Sequence, residues 1–175
     1  MATTTTLHDE VTGWFAGRLP DGWFTGPAEV SLDDDEILVV GPLDEPEVPG
    51  GSEAGVREAA RVARIKRFRE DTRQARMKIA DEAERLFGRT ISWGASVGET
   101  RRLFTTLNVP VMTRLRMPDR QVLDTLIEAG VARSRSEALA WCVRLVGQHQ
   151  ADWIADLREA LTHVQKVRAE GPKAL

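Results

Sequence analysis

The sequence predicts an α+β protein: a small β-rich N-terminal unit with one long helix and a hairpin, then a strand–helix–helix segment that pairs between two chains, then a C-terminal helix. Three observations predict it. Residues 111–117 alternate strictly, with Val111, Thr113, Leu115 and Met117 on one side and Met112, Arg114 and Arg116 on the other. A period of two marks a strand with two unlike faces. Residues 62–86 repeat apolar positions at spacings of three and four, the period of a helix. Residues 90–106 hold two strand-like runs around Gly98-Glu99, a pair suited to a tight turn.

Composition narrows the class. The 175 residues are 42% apolar, enough for one domain or two small ones. No run approaches the roughly 18 to 20 apolar residues that a membrane span needs. The start, Met1 to Thr6, lacks the basic residues and apolar run of a signal peptide, which predicts a cytoplasmic location. A single cysteine, Cys142, excludes an internal disulfide. It lies in an apolar helical pattern and reads as a packed thiol.

The net charge of -3 conceals a strong asymmetry. Residues 1–56 hold 12 acids and one base, whereas residues 57–89 hold 11 bases and 6 acids. An acidic total therefore does not exclude a nucleic-acid partner. Where the positive charge is displayed decides that.

In chain order, residues 1–10 read as a flexible tail, and residues 11–107 as the N-terminal α+β domain, a sensor or an assembly surface. Within 11–43 three short strands are expected. Leu19-Pro-Asp-Gly22 is a turn sequence, Ala28 to Leu32 alternates, and Glu36 to Gly41 is an apolar run fit for a buried strand. Asp33 to Glu36 reads as a solvated turn, since it lacks the spaced ligands of a calcium loop. Residues 42–52 are a linker by their Pro and Gly content. A helix should open at Ser52 or Glu53, run to about Phe87 and stop at Gly88. Its apolar stripe includes Val62, Ile65, Phe68, Thr72, Ile79 and Ala83, which should pack on the strands; Lys66, Arg69, Arg73 and Arg76 line another face. Trp14, Trp23 and Trp93 are expected in the core.

Residues 108–147 carry the motif. After the alternating strand, Pro118 removes a backbone donor and lets a helix begin. That helix, Asp119 to Ala129, places Val122, Leu123, Leu126 and Ile127 on one side and ends at Gly130. Ser134-Arg-Ser-Glu137 opens the next as a capping box in which Ser134 and Glu137 satisfy each other's amides. Gly147 should break or kink it, and residues 148–170 continue as a helix with Ile154, Leu157, Leu161 and Val164 in a stripe.

Met112 to Pro118, Val122 to Leu126 and Gly130 to Leu139 together resemble the ribbon-helix-helix family of DNA-binding proteins. The likeness covers about 40 of the 175 residues. It implies a homodimer whose two strands form an antiparallel ribbon in the major groove of double-stranded DNA, with higher oligomers formed by adjacent dimers on DNA; the dimer should be obligatory, because the two helices are too short to bury their apolar faces alone. A groove about 12 Å wide accepts such a ribbon, and arginine can bridge guanine O6 and N7. By this resemblance Met112, Arg114 and Arg116 are the base readers. Arg133, Ser134, Arg135 and Ser136, at the amide-rich start of the second helix, would contact phosphate and set position. The chain then reads as a DNA-binding transcriptional regulator. Two alternatives stand beside it: the strand pairs with residues 100–106 of its own chain, or the N-terminal half binds a partner protein in the manner of an antitoxin.

Enzyme chemistry is not expected. His8, His149 and His163 lie far apart without metal-ligand spacing, and no nucleophile–base set can be assembled. No cofactor is expected.

Overall fold

The computed structural model describes residues 4–50 and 53–170. The chain divides into two compact units, residues 1–109 and 110–175.

The first unit is built on a four-stranded mixed sheet of order β1-β2-β3-β4. Strands β1 (Glu29–Leu32) and β2 (Glu36–Pro42) form an antiparallel pair. The turn between them is fixed by Asp33, whose carboxylate accepts the backbone N–H groups of Asp35 and Glu36 at 2.9 and 2.8 Å. One acid of the expected solvated turn, Asp33, thus closes a hairpin. Strands β3 (Thr90–Val97) and β4 (Thr100–Leu103) form the second antiparallel pair around Gly98, whose φ of 53° suits glycine. The hairpin expected over residues 90–106 is present. β2 and β3 run parallel, with Ile37 opposite Ile91 and Val39 opposite Trp93. Parallel neighbours require a crossover, and residues 43–89 supply it.

That crossover is two helices. α2 (Ala54–Asp71) and α3 (Arg73–Phe87) meet at Thr72. The expected single helix is interrupted because the Thr72 hydroxyl donates to the Phe68 carbonyl at 2.6 Å and the Arg76 guanidinium takes the Arg69 carbonyl at 2.7 Å. Such side-chain bonds to the preceding turn bend helices. α3 ends as expected at Gly88, in the left-handed conformation with φ 66°. Ser52, one of the two expected starts, lies outside the described residues.

A further helix, α1 (Thr4–Arg18), stands where a flexible tail and the first strand were expected. Residues 1–3 of that tail lie outside the described residues. α1 forms because Val11 and Phe15, one turn apart, are fully buried, and Leu7 and Trp14 pack beside them. Residues 11–43 therefore hold two strands rather than three.

One sheet face carries Ile37, Val39, Ile91, Trp93, Ala95 and Val97 into a core shared with Val11, Phe15, Ile65, Phe68, Ile79 and Ala83. The tryptophans belong to it: Trp93 meets Phe15 edge-on at 5.9 Å between centroids, and Trp23 meets Phe68 at 5.7 Å. Bidentate Arg18–Glu82 hydrogen bonds of 2.6 and 2.8 Å tie α1 to α3.

The second unit holds α4 (Met117–Glu128), α5 (Arg135–His149) and α6 (Ala151–Glu170). α4 starts two residues before its expected position, because Asp119 accepts the Arg116 N–H at 3.2 Å and makes Arg116 the cap. Met117 thereby leaves the strand pattern. α5 continues through Gly147, and the break falls instead at Gln150, whose φ of -122° and ψ of 31° are not helical. Among the described residues no helix is long and apolar enough to cross a membrane.

Candidate nucleic-acid interface

Residues 105–116, which carry the chain from the first unit into the second, have no strand pairing. The alternation seen in the sequence is realised in part. Leu115 turns onto the small core of the second unit, while Met112 is 96% exposed. Val111, expected to face inward, is 85% exposed. Arg114 and Arg116 are exposed, and neither guanidinium forms an ion pair among the described residues.

The two helices behind this segment are fixed by local chemistry. The Arg120 guanidinium donates to the Leu115 carbonyl at 2.8 Å, fastening the end of the extended segment to α4. Gly130, at φ 75°, reverses the chain after α4, and the Val131 N–H donates to the Leu126 carbonyl at 2.9 Å. Ser134 caps α5 by accepting the Glu137 N–H at 3.2 Å. The return bond differs from the expected capping box. Glu137 accepts the Arg133 N–H at 2.9 Å, and this bond, aided by the Arg133 side chain, holds its carboxyl below the ordinary range.

The four residues expected at phosphate lie together at the start of α5. Ser134 and Ser136 are exposed. Both arginines already have partners: Arg133 pairs with Glu137 at 3.2 Å, and Arg135 binds Asp124 of α4 through two hydrogen bonds of 2.7 Å. The Arg135 bonds draw the Asp124 carboxyl below its ordinary value. Sequence reasoning passed over Asp124 and Arg120, since an acid facing an arginine 11 positions away needs the helix–turn–helix geometry to be seen.

The core of this unit is thin. Among the described residues only Leu123, Ala132 and Ala138 are buried, with Leu115, Leu126, Leu139 and Cys142 packed partly against them. Val122, Val143, Val146, Trp153, Leu161 and Val164 remain exposed. An open cavity of about 330 Å³ lies under the extended segment, lined by Val111, Leu115, Leu123, Ser136 and Leu139 among others. A second, almost wholly apolar one of about 370 Å³ lies between Cys142, Val146 and Ile154.

Two family descriptions match this chain, one for each unit. Residues 9–103 match the Rv1265-like protein N-terminal domain, and residues 116–168 match the Mb1296 C-terminal domain. The chain belongs to the Rv1265-like family. It is 55% identical over 160 residues to protein Mb1296 of Mycobacterium bovis and to protein Rv1265 of Mycobacterium tuberculosis, covering 91% of this chain and 69% of each relative. No solved structure matches the chain.

Proposed function

We propose that this chain is a homodimeric, sequence-specific DNA-binding regulator of ribbon-helix-helix type. Residues 111–116 of two chains pair antiparallel, and Met112, Arg114 and Arg116 enter the major groove. One observation carries the reading: an extended, alternating segment without strand pairing precedes a helix–turn–helix in which, among the described residues, only Leu123, Ala132 and Ala138 are buried. A unit of this size rarely stands on so small a core, and oligomerisation is the usual remedy. Unpaired strand edges likewise invite a partner strand. A second copy of the segment answers both needs and fills the cavity beneath it. Ser134 and Ser136 then face the DNA backbone at the start of α5, where the helix dipole favours phosphate. Arg133 and Arg135 reach phosphate by sharing or leaving their carboxylate partners.

Replacing both base readers, Arg114→Ala with Arg116→Ala, is expected to abolish sequence-specific protection of genomic fragments while the dimer and its helix content persist. Each lost bidentate contact removes roughly 1–3 kcal/mol of discrimination. Footprints identical to those of the unaltered protein, or a monomer at working concentration by sedimentation, would overturn the proposal.

A further inference from the structure

The first unit contains a basic recess that the DNA-binding reading does not use. Arg76 is 7% exposed, yet no carboxylate pairs with it among the described residues. Its position is fixed by the helix break: Nε donates to the Thr72 hydroxyl at 3.0 Å and Nη2 to the Arg69 carbonyl at 2.7 Å. The guanidinium lies over the Phe104 ring, 4.8 Å from its centroid, and Arg69 covers the same ring at 5.9 Å. Nη1 donates to no described residue. Beside it opens a cavity of about 590 Å³ whose lining includes Lys66, Arg69, Arg73 and Arg76. The one acid there, Glu70, is engaged with Lys66 at 3.9 Å.

Buried charge is normally paired or neutralised. Here burial and the adjacent Arg69 and Arg73 charges lower the Arg76 pKa to about 10, so the group remains a cation at neutral pH without a counterion. Lys66 has Glu70 beside it, but Arg69, Arg73 and Arg76 place three more positive charges around the same recess, an excess that favours entry of an anion. The recess has the size of a small-ligand site. Arginine forks suit phosphoryl oxygens bidentately. A guanidinium that is 7% exposed and held by Thr72 and the Arg69 carbonyl suits a ligand that enters the recess better than the convex backbone of a duplex.

We infer that the cavity between the α2–α3 break and Phe104 binds a soluble compound carrying two or more phosphoryl groups, with Arg76 at its floor and Lys66, Arg69 and Arg73 at its rim. Such a site makes the first unit a sensor. The chain leads from it directly, through Thr105, into the segment that reads DNA, so an effector has a short covalent route to that segment.

The test is calorimetric titration of the full chain with inorganic tripolyphosphate, in parallel with Arg69→Ala/Arg73→Ala and Arg114→Ala/Arg116→Ala variants. Both pairs are exposed, and circular dichroism confirms their folding. Saturable binding of one tripolyphosphate per chain is expected, weakened at least about tenfold by the Arg69/Arg73 change, in line with the loss of charge-assisted bonds, and unaltered by the Arg114/Arg116 change. That last variant separates this site from the DNA reading: the recess can bind when the ribbon does not read. No saturable heat at millimolar tripolyphosphate would overturn the inference. Equal binding by the Arg69/Arg73 variant, or loss of binding in the Arg114/Arg116 variant, would do the same. If only duplex affinity falls in the Arg69/Arg73 variant, the cations belong to a DNA track and the inference fails.

Discussion

Arg135 and Asp124 face each other across the turn between α4 and α5, with Nε and Nη2 of the guanidinium each 2.7 Å from a carboxylate oxygen. The pair staples the two helices. It also withholds from solvent-borne anions a charge that the DNA-binding reading assigns to phosphate.

Removing the acid frees the base. Asp124→Ala is therefore expected to raise affinity for all duplexes alike and to steepen the dependence of log K on log salt by about one phosphate contact. Electrophoretic mobility shifts across a salt series measure it. An unchanged slope would show that Arg135 never reaches the backbone.

Leu123 is the largest side chain in the three-residue core of the second unit. Leu123→Ala should destabilise that unit by about 2–5 kcal/mol. If two copies share the core, the loss appears as a lower midpoint that recovers with protein concentration. A midpoint independent of concentration, in both wild type and variant, argues for a unit that stands alone.

Two glycines should respond oppositely to alanine. A Cβ at Gly41 would meet the Phe24 ring at 2.1 Å, whereas one at Gly13 in α1 meets nothing within 4 Å. Gly41→Ala forces the ring aside and is expected to cost about 1–3 kcal/mol. Gly13→Ala should stabilise by about 0.5–1 kcal/mol through helix propensity. Urea denaturation of each variant gives both values.

Acid should weaken the first unit modestly, since the carboxylates concerned lie near the surface. Glu29 is held below the ordinary carboxylate range by its hydrogen bonds from Arg101, Asp33 by the Asp35 and Glu36 amides, and Glu82 by Arg18. A depressed carboxylate stabilises the fold fully above its unfolded-state value and loses that contribution as pH falls through the folded one. Stability measured by tryptophan fluorescence should therefore be flat above about pH 5 and decline below the ordinary carboxylate values. Glu82→Gln should shrink the decline; a profile identical to wild type would remove the Arg18–Glu82 bond from the account.

The parts of this fold that were legible are those that local chemistry fixes. Gly88 stops a helix, Ser134 caps one, and Gly98 turns a hairpin, each through bonds to near neighbours. α1 was obscured because Thr4, Thr5, Thr6, Gly13 and Gly17 are poor helix formers, and Trp14-Phe15 draws the eye to strands. The usable signal was Leu7, Val11 and Phe15 at steps of four. The break at Thr72 was hidden because the apolar period runs through it undisturbed; its cause is a hydroxyl and a guanidinium bonding to carbonyls. Arg76 was placed with Lys66, Arg69 and Arg73 on one basic face. Its burial depends on Phe104, 28 positions later, and no periodicity reports such a contact. At the candidate interface the Asp124 partner of Arg135 was not readable, since it depends on how the two helices meet, and neither was the Glu137 partner of Arg133.

The parallel alignment of β2 with β3 also orders events in time. Ile37 meets Ile91 only after the intervening 53 residues have been made, and closing so long a loop costs entropy before any pairing repays it. During synthesis the β1–β2 hairpin therefore waits with one edge open. Its acidic surroundings act as guards against sticking, since like charge keeps waiting edges apart. Nascent fragments ending before Thr90 should stay dispersed at low salt and clump when salt screens the acidic excess of the first 56 residues.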